Sequence, residues 1–137
     1  MKTHGYLGIK IDAKSALPVY EQVKRAIKMA ILTGALKDGN AVASIRDLAQ
    51  RLQINPNTII KIYGQLETEG FLESRPGSGY FVRFESARRG DDQNNLFETL
   101  AKDFVQQAVE LGFARGDIQK KIDAIFDRTT AKLRSGR

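Results

Sequence analysis

Apolar positions in the middle of the chain recur at helical spacing in two short stretches. Ser44 is a favourable N-cap, and Asp47 three residues later suits a capping box, so the first stretch begins a helix. A second helix follows Asn55, because Asn caps helices well and Pro56 suits the first helical position. Gly70 ends that helix as a left-handed cap. The pattern therefore predicts two short helices joined by a tight turn.

Two strand-like stretches come next, at residues 71–74 and 80–84, and both are rich in aromatic and branched side chains. The five residues between them, RPGSG, favour a turn, since two glycines permit positive φ. Helices so close in sequence must cross steeply. This order predicts a winged helix-turn-helix, a mainly α fold with a small β-hairpin wing, which places one helix in the DNA major groove.

The chain divides into three predicted regions. Residues 1–84 form the winged helix-turn-helix domain, with a loose N-terminal arm at 1–14 and a further helix that begins at Pro18. Residues 85–95 are almost entirely polar and are predicted to be a linker. Residues 96–137 carry two amphipathic helices and form the predicted two-helix dimerisation region.

These two C-terminal helices carry wide apolar stripes that a lone hairpin cannot bury. We favour a symmetric homodimer, because one winged helix reads only a short half-site. The alternative is that the helices dock onto the N-terminal domain of their own chain, and both arrangements can coexist. The residues predicted to form the dimer interface are Phe97, Leu100, Phe104, Leu111, Phe113, Ile118, Ile122, Ile125 and Phe126.

Charge is distributed unevenly along the chain, whose formal net charge is +6. Residues 1–84 hold 12 Lys and Arg against 7 Asp and Glu, whereas residues 85–137 hold 10 against 9. The positive field therefore belongs to the predicted helix-turn-helix region, as a module that binds a polyanion requires.

The composition argues against an enzyme. The chain has no Cys, which removes thiolate nucleophiles, disulfides and zinc-finger ligands. Its single His4 lies in the arm, and neither a catalytic carboxylate pair nor a phosphate-binding loop is present, so we expect no catalytic residue, metal or cofactor. No apolar run approaches the ~18 residues of a membrane span, and the start lacks a secretory signal, so we expect a cytoplasmic protein.

Several segments together resemble the GntR family of bacterial transcription regulators. They are PVYEQ at 18–22, ILTGALKDG at 31–39, SIRDLAQRL at 44–52 and NPNTIIKIYGQLETEG at 55–70. LGF at 111–113 and the helix after it resemble the YtrA subfamily. The resemblance implies a DNA-binding repressor that dimerises through its C-terminal segment and often controls a transporter operon.

The resemblance also implies which residues contact DNA. The recognition helix is 56–69 and the wing is 71–84, and the implied contacts are Ser44, Arg46, Asn55, Asn57, Thr58, Lys61, Arg75, Gly77, Ser78 and Gly79. Each of these residues also has a purely structural interpretation. Ser44 and Asn55 can serve only as helix caps, the glycines can serve only to form the turn, and Arg46 and Lys61 can lie on solvated helix faces. Tyr20 and Tyr63 lie on apolar faces, where core packing is the favoured role.

Two positions depart from the family pattern. Ala43 replaces the Pro that usually precedes the capping serine, which reduces the rigidity expected of the helix entry. Ile60 stands where some relatives place an arginine, so the base preference should differ.

Three further points concern partners. A winged helix that binds protein remains the competing function, although the polar start of the recognition helix, which carries Lys61, argues against it. No effector is identified: two helices leave little room for a cavity of ~300 Å³, and a small pocket at the dimer interface would be lined by Phe104, Phe113 and Phe126. The predicted operator is a pair of inverted half-sites about one helical turn apart.

Overall fold

The computed structural model of the chain describes residues 8–84 and 88–135, so the first half of the predicted arm, with His4, lies outside the described residues. In chain order the elements are α1 (Val19–Leu32), α2 (Ile45–Leu52), α3 (Pro56–Thr68), β1 (Leu72–Arg75), β2 (Gly79–Val82), α4 (Arg89–Glu110) and α5 (Arg115–Ser135). They divide into two compact units, Met1–Asp92 and Gln93–Arg137.

The core of the first unit is built around α3. Ile59, Ile62, Tyr63 and Leu66 recur at helical spacing and are completely buried. They share the interior with fully buried side chains of α1 and α2, Val23 and Leu48 among them, and with Val82 of β2. Because burial of such side chains is the main favourable contribution to folding, the apolar stripe fixes which face of α3 points inward.

The predicted helix caps are confirmed. The Ser44 hydroxyl accepts a hydrogen bond from the Asp47 backbone N–H at 3.0 Å, and the Asn55 side chain accepts one from the Asn57 N–H at 2.8 Å. In a complete capping box the Asp47 side chain would also accept a hydrogen bond from the backbone N–H of Ser44. Here the Asp47 carboxylate instead accepts from Arg51 Nε at 3.1 Å.

The turn between α2 and α3 depends on one left-handed residue. Gln53 has φ +56° and ψ +49°, and it is the only non-glycine residue with positive φ in the part of the chain that the structure describes. This conformation lets the Ile54 N–H reach the Ala49 carbonyl at 2.9 Å. The chain can therefore leave α2 and enter α3 within a few residues.

The C-terminal end of α3 is closed as predicted at Gly70, which has φ +87°. Phe71 N–H donates to the Leu66 carbonyl at 2.8 Å, and Gly70 N–H donates to the Glu67 carbonyl at 3.0 Å. This pair of bonds is a Schellman motif. A Cβ atom at position 70 would also collide with the guanidinium of Arg88.

The predicted wing is an antiparallel hairpin in which Leu72 pairs with Val82 and Arg75 pairs with Gly79. Ser78 N–H donates to the Arg75 carbonyl at 2.9 Å, and Gly77 has φ +77° at the third turn position. That geometry is a type II turn, which favours Pro second and Gly third.

Residues 40–42, between α1 and α2, also pair with the wing. Ala41 forms an antiparallel bridge with Phe81, and the Val42 N–H donates to the Tyr80 carbonyl at 3.0 Å. The Val82 N–H donates to the Asn40 carbonyl at 2.8 Å. The second edge of β2 is thereby hydrogen-bonded, which removes an exposed strand edge.

The structure differs from the prediction around the linker at 85–95. Residues 85–87 lie outside the described part of the chain, and α4 already begins at Arg89. Asp91 and Asp92 occupy its first turn, where carboxylates complement the helix dipole, and Arg88 lies 3.0 Å from Asp92. The prediction was wrong here because a segment without apolar residues can still be helical through charge placement.

Two arginines in this segment bind the ends of other helices. Arg88 donates to the carbonyls of Glu69 at 2.9 Å and Gly70 at 3.3 Å, at the C-terminal end of α3. Arg89 donates to the Ile31 carbonyl at 2.9 Å at the C-terminal end of α1. Cations are stabilising at these ends because the helix carbonyls there lack intrahelical donors.

The described half of the N-terminal arm is not loose as predicted. Ile9 is buried, and the Asp12 N–H donates to Gln22 Oε1 at 2.8 Å. In return, Gln22 Nε2 donates to the Asp12 carbonyl at 2.9 Å. These bonds attach the arm to α1.

Glu69 forms a bridge between α3 and α1. Lys24 Nζ lies 2.6 Å and Lys28 Nζ lies 2.7 Å from its carboxylate oxygens. Burial raises the pKa of Glu69, but the hydrogen bonds and charges of the two lysines outweigh that effect and lower the pKa below its ordinary value of 4.5.

We predict that Gln53→Gly raises the free energy of unfolding by up to about 1 kcal/mol, because glycine adopts the left-handed conformation without a Cβ clash. Gln50→Gly, in the interior of α2, is the control and should cost about 1 kcal/mol. Urea unfolding of both variants tests this. Equal destabilisation by the two substitutions would contradict the strain at Gln53.

We predict that the Glu69 bridge makes the protein acid-sensitive. Because the pKa of Glu69 is lower in the folded state, its stabilisation is present above pH 4.5 and is lost as the pH falls through the native pKa. Glu69→Gln should therefore lower stability at pH 7 and flatten the acid side of the profile. Urea unfolding between pH 7 and pH 3 measures this, with the exposed Glu98→Gln as control. Parallel profiles for wild type and Glu69→Gln would refute it.

Candidate DNA interface

The outward face of α3 carries Asn57, Lys61 and Gly64. An α-helix turns about 100° per residue, so residues spaced i, i+4 and i+7 share one face, and here that face lies opposite the buried Ile62 and Leu66. Asn57 and Lys61 are both exposed, and Lys61 forms no hydrogen bond or ion pair with any residue that the structure describes. Amide and ammonium groups are thereby presented to solvent by a rigid helix.

The other two residues predicted for this helix are placed differently. Asn55 is exposed, but its side-chain oxygen is occupied by the cap at the Asn57 N–H. Thr58 is half-buried about a quarter turn away from the outward face, so it lies at the edge of the surface. Asn57 and Lys61 are thus the central polar pair.

The start of α2 provides a second polar surface. Arg46 is exposed in the first turn, and within the described residues it has no hydrogen-bonding or ionic partner. Ser44 is exposed too, with its hydroxyl engaged as the cap. The first backbone N–H groups of a helix, together with its dipole, favour an anion, and a nearby arginine adds charge.

The tip of the wing is formed by residues 76–79, all of which are exposed. Arg75 next to it is held in place: its Nε donates to Glu73 Oε2 at 3.1 Å, and its guanidinium lies 4.0 Å from the Phe81 ring centroid. Stacking on an aromatic ring leaves the edge of the guanidinium available, and nearly half of the side chain remains exposed.

Sequence reasoning missed Arg83 as a functional candidate. It is highly exposed and lies 3.4 Å from Glu73, the same carboxylate that orients Arg75. The available signal was its position directly after β2, beside the wing.

Tyr63 packs in the core, as predicted, and it orients the entry to α2. Its hydroxyl donates to the Ala43 carbonyl at 2.6 Å. Burial, followed by the charge of Asp47 and by Tyr80, raises the pKa of Tyr63, so the phenol stays protonated and available to donate. This bond restrains the backbone at Ala43. Tyr20 is half-buried on α1.

The second unit exposes large apolar side chains alongside its polar ones. Among its described side chains only Ala108 is buried. Eight of the nine residues predicted for the dimer interface are exposed, and Ile118 is half-buried. A groove of about 500 Å³ between α4 and α5 of one chain is lined by Phe104, Leu111 and Phe113, among others, but not by Phe126.

Across residues 8–84 and 88–135, no helix combines the length and the apolar content needed to cross a bilayer.

Comparison with known proteins places these features in a family. A family model described as "Bacterial regulatory proteins, gntR family" matches residues 19–82. The "HTH-type transcriptional repressor YtrA" of Bacillus subtilis (strain 168) is 30% identical over 129 residues, which cover 94% of this chain and 97% of the relative.

Two solved structures extend the likeness. A GntR family transcriptional regulator from Listeria monocytogenes superposes with a TM-score of 0.65 at 26% identity, covering 83% of this chain and 98% of that one. The DNA-binding domain of AraR, in complex with operator ORX1, gives a TM-score of 0.50 at 30% identity and covers 56% of this chain and 95% of that one. The chain therefore belongs to the GntR family of bacterial transcriptional regulators, within its YtrA subfamily, and is a DNA-binding regulator rather than an enzyme.

Proposed function

We propose that this regulator is a homodimeric repressor that binds an inverted-repeat operator, with α3 in the major groove and the wing along the flanking backbone. The observation that carries the proposal is the outward face of α3, on which Asn57 and Lys61 are exposed while the opposite face is completely buried. A helix held in this way can bring both side chains to base edges without rearranging the core.

Only a few residues of α3 are placed to recognise bases. An amide such as that of Asn57 pairs with the N6 and N7 atoms of adenine, and an ammonium such as that of Lys61 pairs with the O6 and N7 atoms of guanine. Thr58, at the edge of the face, suits a phosphate or a thymine methyl. Asn55 acts mainly as the cap that presents the first turn of α3.

Phosphate contacts then position the helix. Arg46 and the capped N-terminus of α2 supply one cationic point, and Arg75 at the wing supplies another. The exposed turn at Gly77, Ser78 and Gly79 lets backbone approach DNA closely, since glycine has no side chain. These contacts carry no sequence information, but they supply salt-dependent affinity.

Dimerisation explains the exposed apolar surface of the second unit. Phe97 and Leu111 are 71% and 75% exposed, values that a monomer in water does not favour for such side chains. A second copy covers this surface and doubles the number of half-sites read. Docking onto the winged domain of the same chain without dimerisation is the competing arrangement, and it predicts a monomer.

The cellular location of the protein and the genes that it regulates are inferred from its family and from its DNA partner. A chromosomal operator implies a cytoplasmic protein, and the YtrA resemblance favours a transporter operon as the target. The effector is unassigned.

Selection of bound sequences from a random duplex pool at near-physiological salt tests the proposal as a whole. Enrichment of an inverted repeat is the expected result. A folded dimer that enriches no sequence would instead support the competing function of binding protein.

We predict that Lys61→Ala weakens binding to the selected operator by roughly 1–3 kcal/mol and relaxes preference at one position, because a base contact is lost. Arg46→Ala should weaken binding to all sequences evenly and reduce the salt slope by about one. Fluorescence anisotropy across a salt series measures both. Lys102→Ala removes the same charge from the second unit and serves as control. A uniform loss with Lys61→Ala would reassign it to a phosphate contact.

We predict that Phe97→Asp and Phe126→Asp each raise the dimer dissociation constant by at least about tenfold, because a buried carboxylate replaces a ring in the interface. Both side chains are highly exposed within one chain, so the monomer fold should persist. Asn94→Asp adds the same charge to α4 at an exposed polar position and is the control. Sedimentation equilibrium measures the dissociation constant. A wild-type chain that stays monomeric at all concentrations would refute the dimer.

A further inference from the structure

Ile60 is exposed on α3 although its chemistry suits the core. It is 47% exposed, and in the described part of the winged unit only Met29 is another large apolar side chain that stays exposed. Ile60 lies in the second turn of α3, about 60° from Asn57, on the outward side of the helix. Single exposed apolar side chains are common on protein surfaces, but this one lies on the side of α3 that the proposed function directs into the major groove.

The surroundings of Ile60 leave it accessible. One turn further along α3, Gly64 has no side chain, and a Cβ placed there would meet nothing within 4 Å. Helical side chains lean toward the N-terminal end of their helix, so Ile60 covers the surface near Asn57, at the end that leads into the groove. Its β-branch restricts χ1 to essentially one rotamer in a helix, so little side-chain entropy is lost on contact.

The chemistry of an isoleucine selects its partner in the groove. Its side chain has no donor or acceptor, so it cannot pair with the N7, O6, N6 or N4 groups of the bases. The one apolar group exposed in the major groove is the C5-methyl group of thymine. From this geometry, and resting on the proposed function, we infer that Ile60 is a specificity-determining residue that contacts a thymine methyl next to the bases read by Asn57 and Lys61.

The test removes the methyl group from the DNA. Each thymine of the selected operator half-site is replaced in turn by deoxyuridine, which keeps the pairing and all polar groups. Loss of one buried methyl should weaken wild-type binding about three- to fivefold at a single position. Ile60→Ala should bind the thymine operator about as weakly as the wild type binds the operator with uracil at that position. Its affinity should not fall further when that thymine is replaced by deoxyuridine. Met29→Ala removes the other exposed apolar side chain and should keep the full wild-type sensitivity.

A gain-of-specificity variant supports the same assignment. Ile60→Arg should shift the preference at that position from thymine toward guanine, since arginine pairs with O6 and N7. Wild-type binding that tolerates uracil at every position, or Ile60→Ala that keeps the sensitivity, would overturn the inference while the operator itself, and the proposed function, still stand. A pool that enriches no operator would overturn both.

Discussion

Complete burial of one face of α3 is the constraint on which the remaining structure depends. Ile59, Ile62 and Leu66 are fully enclosed by the other helices and the hairpin. A shift of one residue in the register of α3 would rotate the helix by about 100°, exposing these side chains and moving polar ones inward. Because burial of an unpaired amide or ammonium is costly, that alternative is excluded. The core therefore decides which residues can face DNA.

Polar bonds at both ends hold α3 in position along its axis. The Asn55 cap satisfies its first turn, and the Schellman motif at Gly70 closes its last. Arg88 binds the carbonyls just beyond that end, and Glu69 connects the same region to α1 through Lys24 and Lys28. Apolar packing fixes the rotation of α3 and these bonds fix its position, so the reading surface is preorganised before it meets a partner.

The two units present surfaces of different physical character. In the winged unit several acidic side chains are engaged within the fold: Glu67 accepts from Ser74 at 2.9 Å, and Glu73 orients Arg75. Lys61 and Arg46 have no ionic partner among the described residues, so their charges stay available to a polyanion. The second unit, beside its charged side chains, exposes most of its large aromatic and aliphatic ones. A polyanion suits the first surface, and another apolar surface suits the exposed apolar side chains of the second.

The sequence by itself determined the features that depend on neighbours within one turn or hairpin. The caps at Ser44 and Asn55, the left-handed Gly70 and the wing turn were all predictable, because their hydrogen bonds join residues close in sequence. The tertiary structure alone decided the features whose partners are distant. The sequence placed Arg88 and Arg89 in a predicted linker, and only the tertiary structure shows that they bind the C-terminal ends of α3 and α1. The bridge between Ala41 and Phe81 likewise joins residues far apart in sequence, so local patterns could not predict it. Periodicity identified the apolar stripes and already left Ile60 outside them, but only packing showed how far Ile60 is exposed, because the exposure of a side chain depends on which neighbours cover it.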